Sequence, residues 1–352
     1  MSSAVAHEGV LTVPTIDIAP YRDPAATPEQ RAAVAAAVDE AARTVGFMQI
    51  VGHGISQETV DGFTAAMDAF FALPLEAKSA YRCPPGINRG YTPPKSESLA
   101  NSLGLATSAA DLFEAINIGV DAALQFPGLG LPEDQYAPNT FPVEVPSFEG
   151  GTTAWFAAAG DVARAMETIF ADALGLPSGH FAQFTDHSLD VLRMINYRLP
   201  AAGVELGPDQ VGMGAHTDYG ICTVLWADQV PGLEILGDDG TWYPVQPADG
   251  ALLINLGDAL ARWTNDQWIS TMHRVAAPRI DGVLVPRRSA AYFHDGNIDA
   301  VIAPLATCVD ADHPPLYAPV TVGEHIAAKL AGSRGGYLNP NAEREAARLT
   351  DA

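Results

Sequence analysis

From about residue 189 onward the chain breaks into short apolar, β-branched runs separated by clusters of Gly, Pro and Asp. No other feature limits its fold as strongly. The runs are DVLRMINYRL, GICTVLWA, GLEIL, ALLINLG, MHRVAAP and RRSAAYFH. They are too short for stable helices, and turn residues at this spacing suit an all-β sandwich or barrel.

The N-terminal half has another texture. VPTIDIAPY, from Val13 to Tyr21, alternates as a short strand does. In TPEQRAAVAAAVDEAARTVG, Thr27 is an N-cap, Pro28 takes the first helical position and Gln30 completes a capping box. Val34, Val38, Ala41 and Val45 form its apolar face, and Gly46 supplies a left-handed end. FMQIVGHGI reads as a buried strand running into a Gly-His-Gly turn, followed by a helix over about Ser56 to Ala72. Residues 83–150 are rich in Pro and Gly and read as a long irregular excursion of the kind that lines a site or acts as a lid. A long helix is expected from roughly Thr152 to Leu174, and a C-terminal helix from a capping box at Thr321 and Glu324. The expectation is one compact unit over 1–352, with a mixed helical region over 1–150, a β-core with its preceding helix over 151–320 and a helical tail over 321–352. A hydrophobic content of 48% is ample for the core this requires.

Charge narrows the partners. With 42 acidic and 19 basic side chains the formal charge is −23, which repels a phosphate backbone and argues against nucleic-acid binding. No apolar run is long enough for a membrane span. The first residues lack a basic start and an apolar stretch, so no signal peptide is expected. Cys83, Cys222 and Cys308 show no CxxC spacing. A reducing, cytoplasmic setting fits them better than a disulfide framework.

Most of the nine histidines need no chemistry. His313 reads as an exposed loop residue, and His187 and His325 sit in polar surroundings. His216 differs because Asp218 follows it in GAHTDYGICTVLW, just ahead of a β-like run. Residues i and i+2 of extended chain point to one side, so an imidazole and a carboxylate can face one ion. His273, opening MHRVAAP, is available as a third ligand from a neighbouring strand. Two His and one carboxylate on one face of an ion form the facial triad of non-haem Fe(II) oxygenases. Arg287 and Ser289 follow two apart on a strand, and a guanidinium fork beside a hydroxyl suits a carboxylate. A Zn-dependent hydrolase would also take three protein ligands, but no well-placed general base accompanies them and the Arg-x-Ser pair would have no task. A non-catalytic binding protein with a vestigial site would not need an intact triad.

Taken in order, VPTIDIAPY, GFMQIVGHGI, FFALPLEAK, RGYTP, LRMINYRLP, HTDYGICTVLWADQVPGLEI, INLGDALARWTND, STMHRV and RRSAAYF resemble the 2-oxoglutarate- and Fe(II)-dependent dioxygenases. The resemblance is to the clade of isopenicillin N synthase and the plant-type oxygenases, and it spans nearly the whole chain. It implies a mixed α/β fold with a mainly β core, a distorted double-stranded β-helix (jelly roll) with helices packed outside. It implies Fe(II) on His216, Asp218 and His273 and the co-substrate 2-oxoglutarate on Arg287 and Ser289, with Tyr197, supported by Asn196, contacting it. The implied reaction consumes O2, releases succinate and CO2, and oxidises an unactivated C–H bond of a small molecule by hydroxylation, desaturation or ring closure. Within this clade isopenicillin N synthase uses the equivalent pair for its own substrate's carboxylate. A four-electron oxidase that does without 2-oxoglutarate is therefore the alternative. For the primary substrate the candidate contacts are Arg89, Tyr91, Phe113, Asn117, Met194 and Phe293, with Arg89 and Asn117 available for a polar head group.

Overall fold

The protein's structure, a computed structural model, describes residues 11–82, 86–94, 96, 111–197 and 212–335. Cys83, much of the expected lid and the end of the C-terminal tail lie outside the described residues. The strands are β1 (Thr15–Asp17), β2 (Phe47–Val51), β3 (Gly90–Thr92), β4 (Glu114–Gly119), β5 (Val191–Tyr197), β6 (Met213–His216), β7 (Cys222–Ala227), β8 (Leu233–Leu236), β9 (Trp242–Pro244), β10 (Leu252–Leu256), β11 (His273–Val275), the hairpin pair β12 (Arg279–Ile280) and β13 (Val283–Leu284), and β14 (Arg287–His294). The helices are α1 (Pro28–Thr44), α2 (Gln57–Ala72), α3 (Leu75–Ser79), α4 (Ala122–Gln125), α5 (Phe148–Ala173), α6 (Asp258–Trp263) and α7 (Val322–Gly335).

An eight-stranded sheet runs β1-β2-β10-β7-β14-β5-β4-β3, and a four-stranded sheet runs β6-β11-β8-β9. One apolar cluster joins Phe47, Phe113, Ile195 and Leu253 of the large sheet or its flanks to Met213, Leu233, Ile235 and Val275 of the small one. The two sheets therefore pack face to face. The other face of the large sheet carries Met194, Val224 and Tyr292 into a second cluster with Val34 and Val38 of α1, Phe63 and Phe70 of α2, and Trp155 and Phe170 of α5. A sheet covered on both faces needs apolar residues at nearly every position, and β5 and β10 are buried throughout.

Local signals hold at several helix ends. Thr27 and Gln30 close the capping box of α1. Gly46 takes the left-handed turn after it, with φ 68°. Thr321 and Glu324 exchange hydrogen bonds ahead of α7. Two expectations need correction. Helix α5 begins at Phe148, ahead of the expected Thr152, and runs through Gly150 and Gly151. At Gly151 a Cβ would lie 2.8 Å from the carbonyl oxygen of Gly62, so glycine here permits close approach of α2 and α5 rather than breaking the helix. Within the supposed excursion, FEAIN is largely β4, a fully buried strand paired to β5 over its whole length.

The helical layer is tied to the sheet by buried charge. Lys78 Nζ meets Glu114 at 2.8 Å. The His294 imidazole is held between Asp190 (Nδ1 to Oδ1, 3.0 Å) and Glu167 (Nε2 to Oε1, 2.9 Å). Burial opposes its charge, but Asp190 and Glu167 together raise its pKa to about 10. The imidazolium's stabilisation is complete below the unfolded value of about 6.5 and is lost as pH rises through the folded value. In urea denaturation, the stability gap between the wild type and His294→Gln should be largest below about pH 6.5 and narrow toward about pH 10. A gap that stays constant over this range would mean that His294 is neutral in the fold.

Candidate functional site

The site is assembled by strand pairing. β11 lies antiparallel to β6 with His273 directly opposite His216, and the two rings stand 4.3 Å apart. Asp218 follows β6 by two residues. Its Oδ1 is 3.9 Å from His216 Nε2 and 3.7 Å from His273 Nε2. Both separations are within reach of two metal–ligand bonds of about 2 Å each. Ligand atoms of the three residues all lie within 4.8 Å of one another, and all three residues are buried.

Each side chain is oriented from behind. His216 Nδ1 donates to the Gly214 carbonyl at 2.8 Å and His273 Nδ1 to the Thr271 carbonyl at 3.0 Å, which leaves both Nε2 lone pairs facing the shared space. Asp218 Oδ2 accepts from Thr223 Oγ1 and from Asn255 Nδ2, so Oδ1 is the oxygen that turns toward the histidines. Burial, reinforced by the neighbouring His273, lowers the pKa of His216 to about 4 and keeps the ring neutral, as a metal ligand must be. The backbone of this loop is held as well: Asp258 N–H donates to the Asp218 carbonyl, and the buried Lys329 of α7 pairs with Asp258 at 2.7 Å.

The three residues open onto one cavity between the sheets. Arg287, Ser289 and Phe293 of β14 line it, as do Arg193, Ile195 and Tyr197 of β5, and Asn88 and Asn117. Arg287 is 2% exposed and its Nε donates to the Val230 carbonyl at 3.2 Å. Its Nη1 is buried with no hydrogen-bond partner among the described residues. A buried guanidinium N–H without an acceptor is costly, and a ligand carboxylate would satisfy it. Its carbon also lies 5.1 Å from the centre of the Tyr197 ring.

Several expected residues sit elsewhere. Asn196 faces the outer side of the sheet, where Nδ2 donates to Glu114 Oε1 at 2.7 Å and Oδ1 accepts from Arg288. Met194, on the same side, belongs to the helical core. The Tyr91 hydroxyl donates to Glu114 Oε2, again behind the sheet. Phe113 backs the cavity, edge-on to Tyr197 and beneath the Arg193 guanidinium. Arg89 does not reach the cavity either; it lies against Gly119 and donates to the carbonyls of Asn88, Val120 and Gln135. Of the substrate candidates, only Asn117 and Phe293 line the cavity. His325 is buried rather than set in polar surroundings, with Nε2 donating to the Tyr219 carbonyl.

Arg193, Thr223, Asn255 and Tyr219 escaped the sequence reading. Arg193 was within reach of it, because strict alternation from Tyr197 puts Ile195 and Arg193 on the cavity face and Asn196 and Met194 behind.

An iron-binding triad beside an unsatisfied carboxylate clamp defines a class, the non-haem Fe(II)- and 2-oxoglutarate-dependent oxygenases. Residues 13–144 match the family described as non-haem dioxygenase in morphine synthesis N-terminal, and residues 190–296 match the 2OG-Fe(II) oxygenase superfamily. The chain is 31% identical over 349 residues to the 2-oxoglutarate-Fe(II) type oxidoreductase hxnY of Emericella nidulans, with 96% of each chain covered. It is 32% identical to validamycin A dioxygenase of Streptomyces hygroscopicus subsp. limoneus, over 90% of this chain and 86% of that one. The full-length Neurospora crassa T7H in complex with alpha-KG superposes with a TM-score of 0.80 at 27% identity, covering 94% of this chain and 99% of that one. The same enzyme has been crystallised with thymine. The chain belongs to the 2OG-Fe(II) oxygenase superfamily, within its isopenicillin N synthase-like clade. Its cofactors are Fe(II) and 2-oxoglutarate.

Because Asn196 is turned away from the cavity, Asn196→Ala should lower stability through its lost bonds to Glu114 and Arg288. Its 2-oxoglutarate affinity, measured by calorimetric titration, should stay within about twofold of wild type. A tenfold weakening would restore the supporting role expected from the sequence.

Proposed function

We propose that the protein oxidises a C–H bond of a small molecule by hydroxylation, desaturation or ring closure. In this reading His216 Nε2, Asp218 Oδ1 and His273 Nε2 hold the iron. Arg287 and Ser289 hold the distal carboxylate of 2-oxoglutarate, with Tyr197 against it. When bound, iron and 2-oxoglutarate supply the oxidising power, with O2 consumed and succinate and CO2 released. The chain's own groups orient and exclude. Backbone carbonyls fix both histidine tautomers, Thr223 and Asn255 turn one carboxylate oxygen inward, and the apolar walls keep water from the reacting atoms. The observation that carries the proposal is the buried, unpartnered Arg287 Nη1 in the same cavity as the triad.

The cavity's remaining wall, with Asn117, Arg193, Tyr219 and Phe293, would then face the primary substrate. A compact polar ring suits it, and two relatives are named for or crystallised with such compounds, validamycin A and thymine. The facing sheets fit a distorted double-stranded β-helix. Strands β1 to β4 of the N-terminal half share a sheet with β5, β7, β10 and β14, which supports reading the chain as one compact unit. Cys222 and Cys308 are buried free thiols, consistent with a reducing cytoplasm. Among the described residues no helix is long and apolar enough to cross a membrane.

His273→Ala should lose iron on desalting, measured by metal analysis, and lose turnover with it. Thr223→Val, which only frees Asp218 Oδ2, should weaken metal binding by about 10- to 100-fold. Full iron content in His273→Ala would refute the ligand assignment. Arg287→Ala should weaken 2-oxoglutarate binding at least about tenfold, and Arg287→Lys, which keeps the charge without the fork, should fall between it and wild type. Succinate formed in step with product would exclude the four-electron oxidase; unchanged 2-oxoglutarate affinity in Arg287→Ala would place the clamp elsewhere.

A further inference from the structure

The cavity has a second polar pole, separate from the iron ligands and the Arg287–Ser289 pair. It is built where β4 meets β5. Asn117 and Arg193 are direct cross-strand partners, so their side chains leave the sheet next to each other on one face, and both line the cavity. Asn117 is 3% exposed. Its Nδ2 donates to Asn88 Oδ1 at 2.7 Å, while its Oδ1 is buried with no hydrogen-bond partner among the described residues.

The direction of that amide is set from behind. Arg89 pins Asn88 by donating to its carbonyl at 2.8 Å and to the Val120 carbonyl at 2.9 Å. Gly119 makes room for this, since a Cβ there would lie 2.4 Å from the Arg89 guanidinium carbon. Arg193 is equally constrained: it is 7% exposed, and its guanidinium carbon stands 5.1 Å from the centre of the Phe113 ring. The large sheet thus presents a fixed acceptor and a fixed donor side by side, within walls that include Ile195, Leu225 and Phe293.

A buried acceptor without a donor is tolerated where a ligand completes it. A carboxylate could pair with Arg193, but it would turn a second acceptor toward Asn117 Oδ1. A plain ketone would satisfy only Arg193, and a hydrocarbon neither. An N–H adjacent to a C=O, held cis by a ring, matches both at once. We infer that Asn117 and Arg193 are the recognition pair for the primary substrate, and that this substrate is a lactam or cyclic imide. Its ring N–H donates to Asn117 Oδ1 and its carbonyl accepts from Arg193. The inference rests on the oxygenase reading of this cavity proposed above. Arg89, in this account, is a positioning residue that acts through Asn88.

The test uses the full chain loaded with Fe(II) and 2-oxoglutarate under nitrogen. The probes are 2-piperidone, N-methyl-2-piperidone and cyclohexanone, with affinities read by ligand-observed NMR titration. The three share a six-membered ring and a carbonyl, and only 2-piperidone has the N–H. It should bind at least tenfold tighter than either of the others, because a site built around a hydrogen bond rejects analogues that lack it. Asn117→Leu should abolish that preference. Asn117→Asp, which keeps an acceptor oxygen, should retain it. Equal binding of the three probes by the unmodified protein, failure of 2-piperidone to bind, or a preference that survives in Asn117→Leu would each overturn the recognition pair. Titration of 2-oxoglutarate into the same unmodified protein keeps the two readings apart. If 2-oxoglutarate binds and the N–H preference is missing, only the recognition pair falls; if 2-oxoglutarate does not bind, the reading of the site itself falls.

Discussion

The antiparallel pairing of β11 with β6 is the contact on which the site depends. It sets His273 opposite His216, so two residues far apart in the chain share one small volume. The short strand length matters here. β11 has three residues and β6 four, so neither could hold this register alone. It is held by β8 on the far side of β11, by the apolar packing of Met213, Leu233 and Val275 against the large sheet, and by the edge-on Phe47 ring 5.4 Å from His273. Metal-ligand geometry is thus a product of sheet packing rather than of loop conformation, as a preorganised site requires.

The large sheet works as a two-faced partition. Its inner face carries Arg287, Ser289, Tyr197, Arg193 and Asn117 toward the cavity. Its outer face carries Arg288, Asn196, Glu114 and Tyr91 into a buried polar network with Lys78. Neighbouring residues therefore have opposite roles. That outer network is satisfied within the protein, each donor meeting a carboxylate or an amide, whereas the inner face keeps the Nη1 of Arg287 and the Oδ1 of Asn117 unmatched among the described residues. Buried polar groups are ordinarily paired, so incompleteness confined to one side of the sheet marks the side that binds.

The C-terminal helix joins the two functions. Ile326 and Leu330 of α7 line the cavity, and Lys329 between them is buried against Asp258 and Thr217. Thr217 lies between two of the proposed iron ligands, and the Asp258 N–H supports the third residue of that loop through the Asp218 carbonyl. A buried ion pair is seldom a large net source of stability, but loss of one partner is costly, so it fixes position well. Helix α7 is thereby coupled to the backbone that carries His216 and Asp218.

Read alone, the sequence determined those features whose cause is local or periodic. The helix boundary at Thr27, the capping box at Thr321, the short-strand rhythm after residue 189 and the shared face of Arg287 and Ser289 all follow from capping chemistry or from period-two alternation. Family motifs in order added the class of chemistry. The same alternation, applied to LRMINY, would have placed Arg193 on the cavity face and Asn196 and Met194 behind it. What only the tertiary structure decided is which surfaces meet. FEAIN carries too little pattern to announce a strand, and it becomes one because β5 offers an unpaired edge. Gly150 and Gly151 look like breakers, yet the approach of α2 makes them the residues that fit. Arg89 looks like an exposed ligand for substrate, and three backbone carbonyls claim it instead. In each case the deciding energy comes from partners distant in sequence, and no local pattern records them.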